Sequence, residues 1–236
     1  MSPLIRYKNV KLIFNGGILM GRFSKANILF FSFISLFSFS TVWAQEAIGV
    51  INELVGNVVL RPVHSQDSGR SVVDVTSGMK LNVGDEIETK AGGMARLMMA
   101  DKNVFILQEN TVFTIRDYSV EESAGRTHLR VKGGVHSEIH KKYDNENSTI
   151  RLETPSAVVG VRGTEFYLEH KDNTTVTTFD GVVEMANKMD VYKLVNPTSI
   201  KKGYQFGSDM ETPKEIPAKE LRLMKYKTRV LRKPKT

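Results

Sequence analysis

The sequence predicts an all-β protein: a twisted, multi-stranded body of solenoid or sandwich-like form, followed by a short C-terminal helix and a basic tail. Three observations carry this. Turn residues recur about every 8 to 15 positions, with β-branched runs between them. Several runs alternate with period two, such as Thr111 to Ile115 and Thr127 to Val131. Helical spacing enters only after Pro213, where Leu221, Met224 and Lys225 share one face and Pro217 suits a first helical position.

The elements follow in order. Ile48 to Ile51 and Val58 to Leu60 are β runs with Gly56-Asn57 as the turn between them. His64 to Gly69 is a polar loop, and Val72 to Val75 a short edge strand. Gly84-Asp85 turns the chain into a strand holding Ile87 and Thr89; Gly92-Gly93 turns it again into Met94 to Met99. Asp101-Lys102-Asn103 is a tight loop before Val104 to Leu107. Residues 117–126 form a charged loop. Gly133-Gly134 turns the chain into Val135 to His140, and Asp144 to Ser148 is a polar connection before Ile150 to Glu153.

The densest information lies in residues 154–186. Pro155 cannot donate a ladder hydrogen bond, so it belongs at a strand's start or on an edge. Ala157, Val159 and Val161 share one face, but beyond Gly163 the apolar face is Phe166 and Leu168. Inward parity moves from odd to even, which one extra residue at Gly163-Thr164 achieves as a bulge or tight corner. Lys171 to Thr174 reads as a hairpin loop, and Asp180-Gly181 as a second turn compatible with type I′. Val191 to Val195, Thr198 to Ile200 and the Lys202-Gly203 turn complete the β part. Gly56, Gly133 and Gly181 each open a Gly-x-Val run at unequal intervals, which is recurring turn geometry and no true repeat.

Together these residues resemble the FecR domain, the family named after the periplasmic part of the ferric-citrate sensor. The resemblance rests on Glu153-Thr154-Pro155, Val159 to Phe166, and Phe179 to Val183. It extends upstream through Val55 to Val58, Leu81 to Thr89, Gly93 to Met99 and Leu129 to Val135, about residues 48–205 in all. Its motif residues are Thr154, Pro155, Gly160, Arg162, Gly163, Thr164 and Gly181. It implies a twisted solenoid or sandwich-like domain whose exposed edges bind protein by strand addition. In the best-understood members a cytoplasmic helical segment restrains a sigma factor, a single span crosses the membrane, and the periplasmic domain meets the signalling domain of a transporter. Here only 27 residues precede the apolar run at Ile28, without helical periodicity, so the sigma-regulating activity is not carried over.

That apolar run, Ile28 to Phe39, follows Arg22 and Lys25 and precedes Val42-Trp43-Ala44. Residues 1–44 read as a secretory signal peptide cleaved after Ala44, with an uncleaved anchor as the alternative and Met20 as the expected translation start. Residues 45–212 are the β domain and 213–236 the helix and tail. The expected location is the periplasm or outside the cell.

The chain has 236 residues, 41% of them apolar and 25% charged, which is ordinary for a globular protein. It has no cysteine, which excludes disulfides, thiol nucleophiles and Cys-ligated zinc. The formal charge of +7 belongs to the ends. Residues 1–44 hold five bases and no acid, and residues 213–236 hold nine bases and two acids. The body then keeps 19 bases against 24 acids. A nucleic-acid binder carries its base excess on its folded face, so no nucleic-acid partner is expected. The basic tail reads as a solvated end that could also touch an anionic surface.

No catalytic motif stands out. Ser199 to Lys202 matches Ser-x-x-Lys without its companion motifs. His136, Glu138 and His140 share a strand face, but about 13 Å separates the two His Cα atoms at strand rise, too far for one ion. The segment reads as a solvated sheet face, and neither metal nor cofactor is expected. Arg162, between Gly160 and Gly163, either pins its corner by pairing with Glu153 or Glu165 or receives an acidic partner. The expected function is therefore a non-enzymatic, exported module that binds a protein of the cell envelope. Alternatives are a glycan or peptidoglycan binder, which needs a row of exposed aromatics among Tyr118, Tyr143, Tyr167 and Tyr192, and a β-solenoid lyase, which needs carboxylates and bases clustered in a groove.

Overall fold

The computed structural model describes residues 47–63, 72–118, 126–140, 149–187, 194 and 196–231, all within the unit Gln45–Thr236. The signal-peptide expectation, Tyr143, Tyr192 and the end of the tail lie outside the described residues. No helix among the described residues is long and apolar enough to cross a membrane.

Seventeen strands among the described residues form two sheets. The front sheet runs, edge to edge, through β4 (Lys80–Leu81), β1 (Gly49–Val55), β6 (Met94–Met99), β7 (Val104–Leu107), β9 (Arg126–Glu138), β12 (Glu165–His170), β13 (Thr174–Asp180), β16 (Tyr204–Gly207) and β17 (Lys214–Glu215). The back sheet runs through β3 (Val73–Asp74), β2 (Val58–Arg61), β5 (Glu86–Thr89), β8 (Thr111–Asp117), β9 again, β10 (Thr149–Glu153), β11 (Ala157–Val161), β14 (Val182–Asn187) and β15 (Thr198–Lys201). Apart from β4 and β3 at the first edges, strand numbers rise along both sheets. The chain therefore winds back and forth between them while advancing from one end to the other, a sandwich built by solenoid-like progression. Only the β9–β10 pair is parallel among the described strands.

Strand β9 belongs to both sheets. Residues 128–132 pair with β8 in the back and 133–138 with β12 in the front. The bend falls at Gly133, with φ 110°. A Cβ there would lie 2.5 Å from Thr111 Oγ1 and 2.7 Å from Asn110 O, so only glycine fits. The sequence had read Gly133-Gly134 as a turn between strands; the backbone instead passes through it as one bent strand. Asp180-Gly181 is corrected likewise. It joins β13 in the front sheet to β14 in the back, so it is a corner between sheets and closes no hairpin. Lys171 to Thr174 does close the β12–β13 hairpin, where His170 faces Thr174.

The core lies between the sheets. Ile51, Leu97, Phe105, Leu107, Val135, Phe166 and Leu168 from the front meet Ile87, Phe113, Ile115, Leu129, Leu152 and Val159 from the back. Phe105 and Phe113 touch across the interface, with ring centroids 5.3 Å apart. After β17, a strand in a region the sequence had read as free of β structure, helix α1 spans Ala218–Arg229. Pro217 precedes its first residue, one position earlier than the sequence placed it.

Candidate functional site

The motif residues fall at the two ends of β11. At one end, Thr154 organises the β10–β11 hairpin. Its hydroxyl donates to Ala157 O (3.1 Å) and accepts from Ala157 N (2.9 Å). It also lies 2.6 Å from Thr174 Oγ1, which in turn contacts Ser156 Oγ at 2.8 Å. Pro155 sits exposed in this turn, where a missing N–H costs nothing. Strand β11 is buried along its whole length. Its outward face is covered at Gly160, where a Cβ would come within 2.7 Å of Leu194 Cδ1.

At the other end, Arg162, Gly163 and Thr164 carry the chain from back sheet to front. Gly163 takes φ 64° and Gly181 φ 79°. A Cβ on Gly181 would lie 2.8 Å from Thr164 Cγ2 and 3.0 Å from Gly163 O, so the two corners stack on each other. The structure thus unites Gly163, Thr164 and Gly181. Thr154 and Pro155 stand apart from them by the length of β11, about 14 Å at strand rise. Arg162 is exposed. Of the two carboxylates considered for it, Glu153 is buried and held by His128 Nε2 at 2.8 Å and Arg130 at 3.3 Å, and Glu165 meets Lys225 and His136.

The second feature is one the sequence did not reveal. Helix α1 lies over the outer face of the front sheet, and its last turn is fixed by polar contacts. Gln108 Nε2 donates to Thr228 O (2.7 Å) and Arg96 to Arg229 O (3.1 Å). Thr228 Oγ1 donates to Met224 O at 2.9 Å and lies 2.9 Å from His136 Nδ1. Lys225 pairs with Glu165 Oε2, and Arg229 Nε sits 2.8 Å from Glu138 Oε1. Burial pushes the Glu165 carboxyl up, but the neighbouring His136 and Lys225 outweigh it and hold the group down at about 2.

His136 is therefore no part of a solvated face, as its strand periodicity had indicated; the ring has no exposed surface. It stacks on Phe179, with centroids 5.4 Å apart and planes at 19°. Ile106, its cross-strand neighbour, is fully buried yet outside the inter-sheet core. His140 lies past the end of β9 and is exposed. The missing signal was the cross-strand pairing of Glu138 with Glu165, which only the β9–β12 register supplies.

The row of exposed aromatics required for glycan binding does not form among the described tyrosines. Tyr118 is buried, with its hydroxyl 2.7 Å from Asp101 Oδ1, and Tyr167 is half-buried on the front sheet.

Fold and site together define a two-sheet β module with a helix strapped to its outer face. Residues 85–184 match the family described as FecR protein, so the chain carries a FecR segment from Asp85, just ahead of β5, into β14. The resemblance read in the sequence holds over this segment, which contains every motif residue named above. Two crystal structures of a candidate anti-sigma factor from Parabacteroides distasonis are similar, each at 18% identity. Their TM-scores are 0.47 and 0.46; the matches cover 59% and 58% of this chain and 63% and 62% of the neighbours, less than two thirds of either. No curated protein matches the chain.

Proposed function

We propose that the chain is an exported, non-enzymatic module of the cell envelope that binds another protein in signalling. The observation that carries this is the FecR match, which spans strands of both sheets and the stacked Gly163–Gly181 corner. Residues 1–44 direct export in this reading. The docking place is the outer side of β15. The front sheet ends in β4 and β17 and the back sheet in β3, each of two residues, whereas β15 offers four. Among the described residues no strand pairs on the outer side of β15, though Ile200 O there accepts from Thr178 Oγ1, and such an edge can accept an extended segment of a partner. The exposed outer side of α1, with Lys219, Arg222 and Lys227 beside Leu223 and Tyr226, supports an additional peripheral contact with an anionic surface.

Crosslinking in intact cells, followed by identification of the adduct, tests the proposal. A discrete envelope protein is expected. Recovery of sugar fragments alone would favour glycan binding, and recovery of the uncleaved chain from the cytosol would contradict export.

A further inference from the structure

We propose that His136, Glu138 and Glu165 form a binding site for a divalent transition-metal ion of the zinc type, in which Arg229 competes with the ion. One ligand atom from each residue lies within 4.8 Å of the others. His136 Nε2 is 3.2 Å from Glu165 Oε1 and 3.9 Å from Glu138 Oε1. Zinc bonds to nitrogen and oxygen of about 2.0–2.1 Å give a tetrahedron with edges of about 3.4 Å. Closing the His136–Glu138 edge by about half an ångström, and the carboxylate pair from its separation of at most 4.8 Å, would therefore seat an ion.

The hydrogen bonding supplies a second, independent observation. When the Thr228 hydroxyl gives its proton to Met224 O, it accepts from His136 Nδ1–H. That assignment leaves Nε2 facing the carboxylates. Nε2 and Glu165 Oε1 are buried atoms with no well-aligned hydrogen bond, and Glu138 Oε1 has only its ion pair with Arg229 Nε. With Nε2 unprotonated, its lone pair meets the carboxylate oxygens 3.2 and 3.9 Å away, a contact that a proton or a metal cation between them turns favourable. An outward N–H held by a fixed acceptor is also the arrangement that orients metal-binding imidazoles. Phe179 fixes the ring plane from the side. One nitrogen and two carboxylate oxygens suit zinc-like ions better than magnesium or calcium, which take oxygen sets.

The two basic residues of α1 divide the work. Lys225 pairs with Glu165 Oε2 and leaves Oε1 to the ion. Arg229 Nε lies 2.8 Å from Glu138 Oε1, the atom the ion needs. The Arg229 side chain is half exposed and can swing into solvent. Seating the ion therefore exchanges Arg229 for the metal at the rim of the helix.

The test titrates Zn²⁺ into the untagged, chelator-stripped full chain by calorimetry against a competing chelator. One saturable ion per chain is expected, with a Co²⁺ derivative showing tetrahedral visible absorption. Glu138→Gln and Glu165→Gln should each weaken binding by about tenfold or more, and Arg229→Gln should tighten it severalfold. His136→Ala risks unfolding a buried position, so the rim variants carry the test, each checked for native circular dichroism. Absence of saturable binding, or affinity unchanged in all three rim variants, would overturn the site and leave the cluster as an ion-pair anchor for α1.

Discussion

The hydroxyl of Thr228 lies 2.9 Å from the imidazole Nδ1 of His136, although 92 residues separate them in the chain. Thr228 is the one residue of α1 that is buried. The helix is therefore held through its last turn by hydrogen bonds and ion pairs, with little apolar surface beneath it.

Thr228→Val should loosen that turn without disturbing the sheets. It leaves His136 Nδ1 without its hydrogen-bond partner, a buried loss of about 1–3 kcal/mol. Hydrogen exchange is the direct measurement. Amides of residues 218–229 should lose protection while those of β9 and β12 keep theirs. Equal loss in the strands would show that the helix supports the whole sandwich.

Gly181→Ala addresses the stacked corner. The new methyl would be forced into φ 79° and within 2.8 Å of Thr164 Cγ2. A destabilisation of about 1–3 kcal/mol is expected in urea unfolding. Gly203→Ala serves as comparison, since its φ is 85° but a Cβ would meet nothing within 4 Å. The difference between the two isolates the packing contact from the backbone strain.

Thr154→Val removes both bonds that the hydroxyl makes to Ala157 and its contact with Thr174. The shape is retained, so the cost of about 1–3 kcal/mol comes from a buried amide left unpaired. A Thr154→Val, Thr174→Val pair should be less costly than the sum of the singles, because the two hydroxyls share partners.

Much of this fold was legible because backbone rules act locally. Gly56, Gly84, Gly92, Gly163, Gly181 and Gly203 all take positive φ at turns or corners the sequence had marked. The shift of parity between Val161 and Phe166 was also readable, and it coincides with the passage from back sheet to front. What local patterning could not tell was which strands a turn joins. Asp180-Gly181 looks the same in sequence whether it closes a hairpin or crosses between sheets. The charged site was hidden for a related reason. His136 and Glu138 are two residues apart, but Glu165 reaches them through register and Lys225 through docking of a helix. His140, the partner that periodicity offered, falls beyond the strand's end.

His170 gives the chain a pH dependence of known sign. Burial, and after it the charge of Lys132, hold its imidazole below the ordinary value of 6.5. Below about pH 6.5 the unfolded chain binds a proton that the folded chain resists, so stability is complete above that value and falls as pH drops below it. His170→Gln should flatten the slope of unfolding free energy below about pH 6.5. An unchanged slope would place the titrating group elsewhere.

Protein docking at β15 is tested most directly by a photo-crosslinking amino acid placed at Ser199, exposed on that strand, and separately at Val73 on the opposite edge of the back sheet. Irradiation of intact cells should give a discrete protein adduct from position 199 and little from position 73. An adduct at 73 alone, or none at 199 in cells that export the folded chain, would contradict docking at this edge.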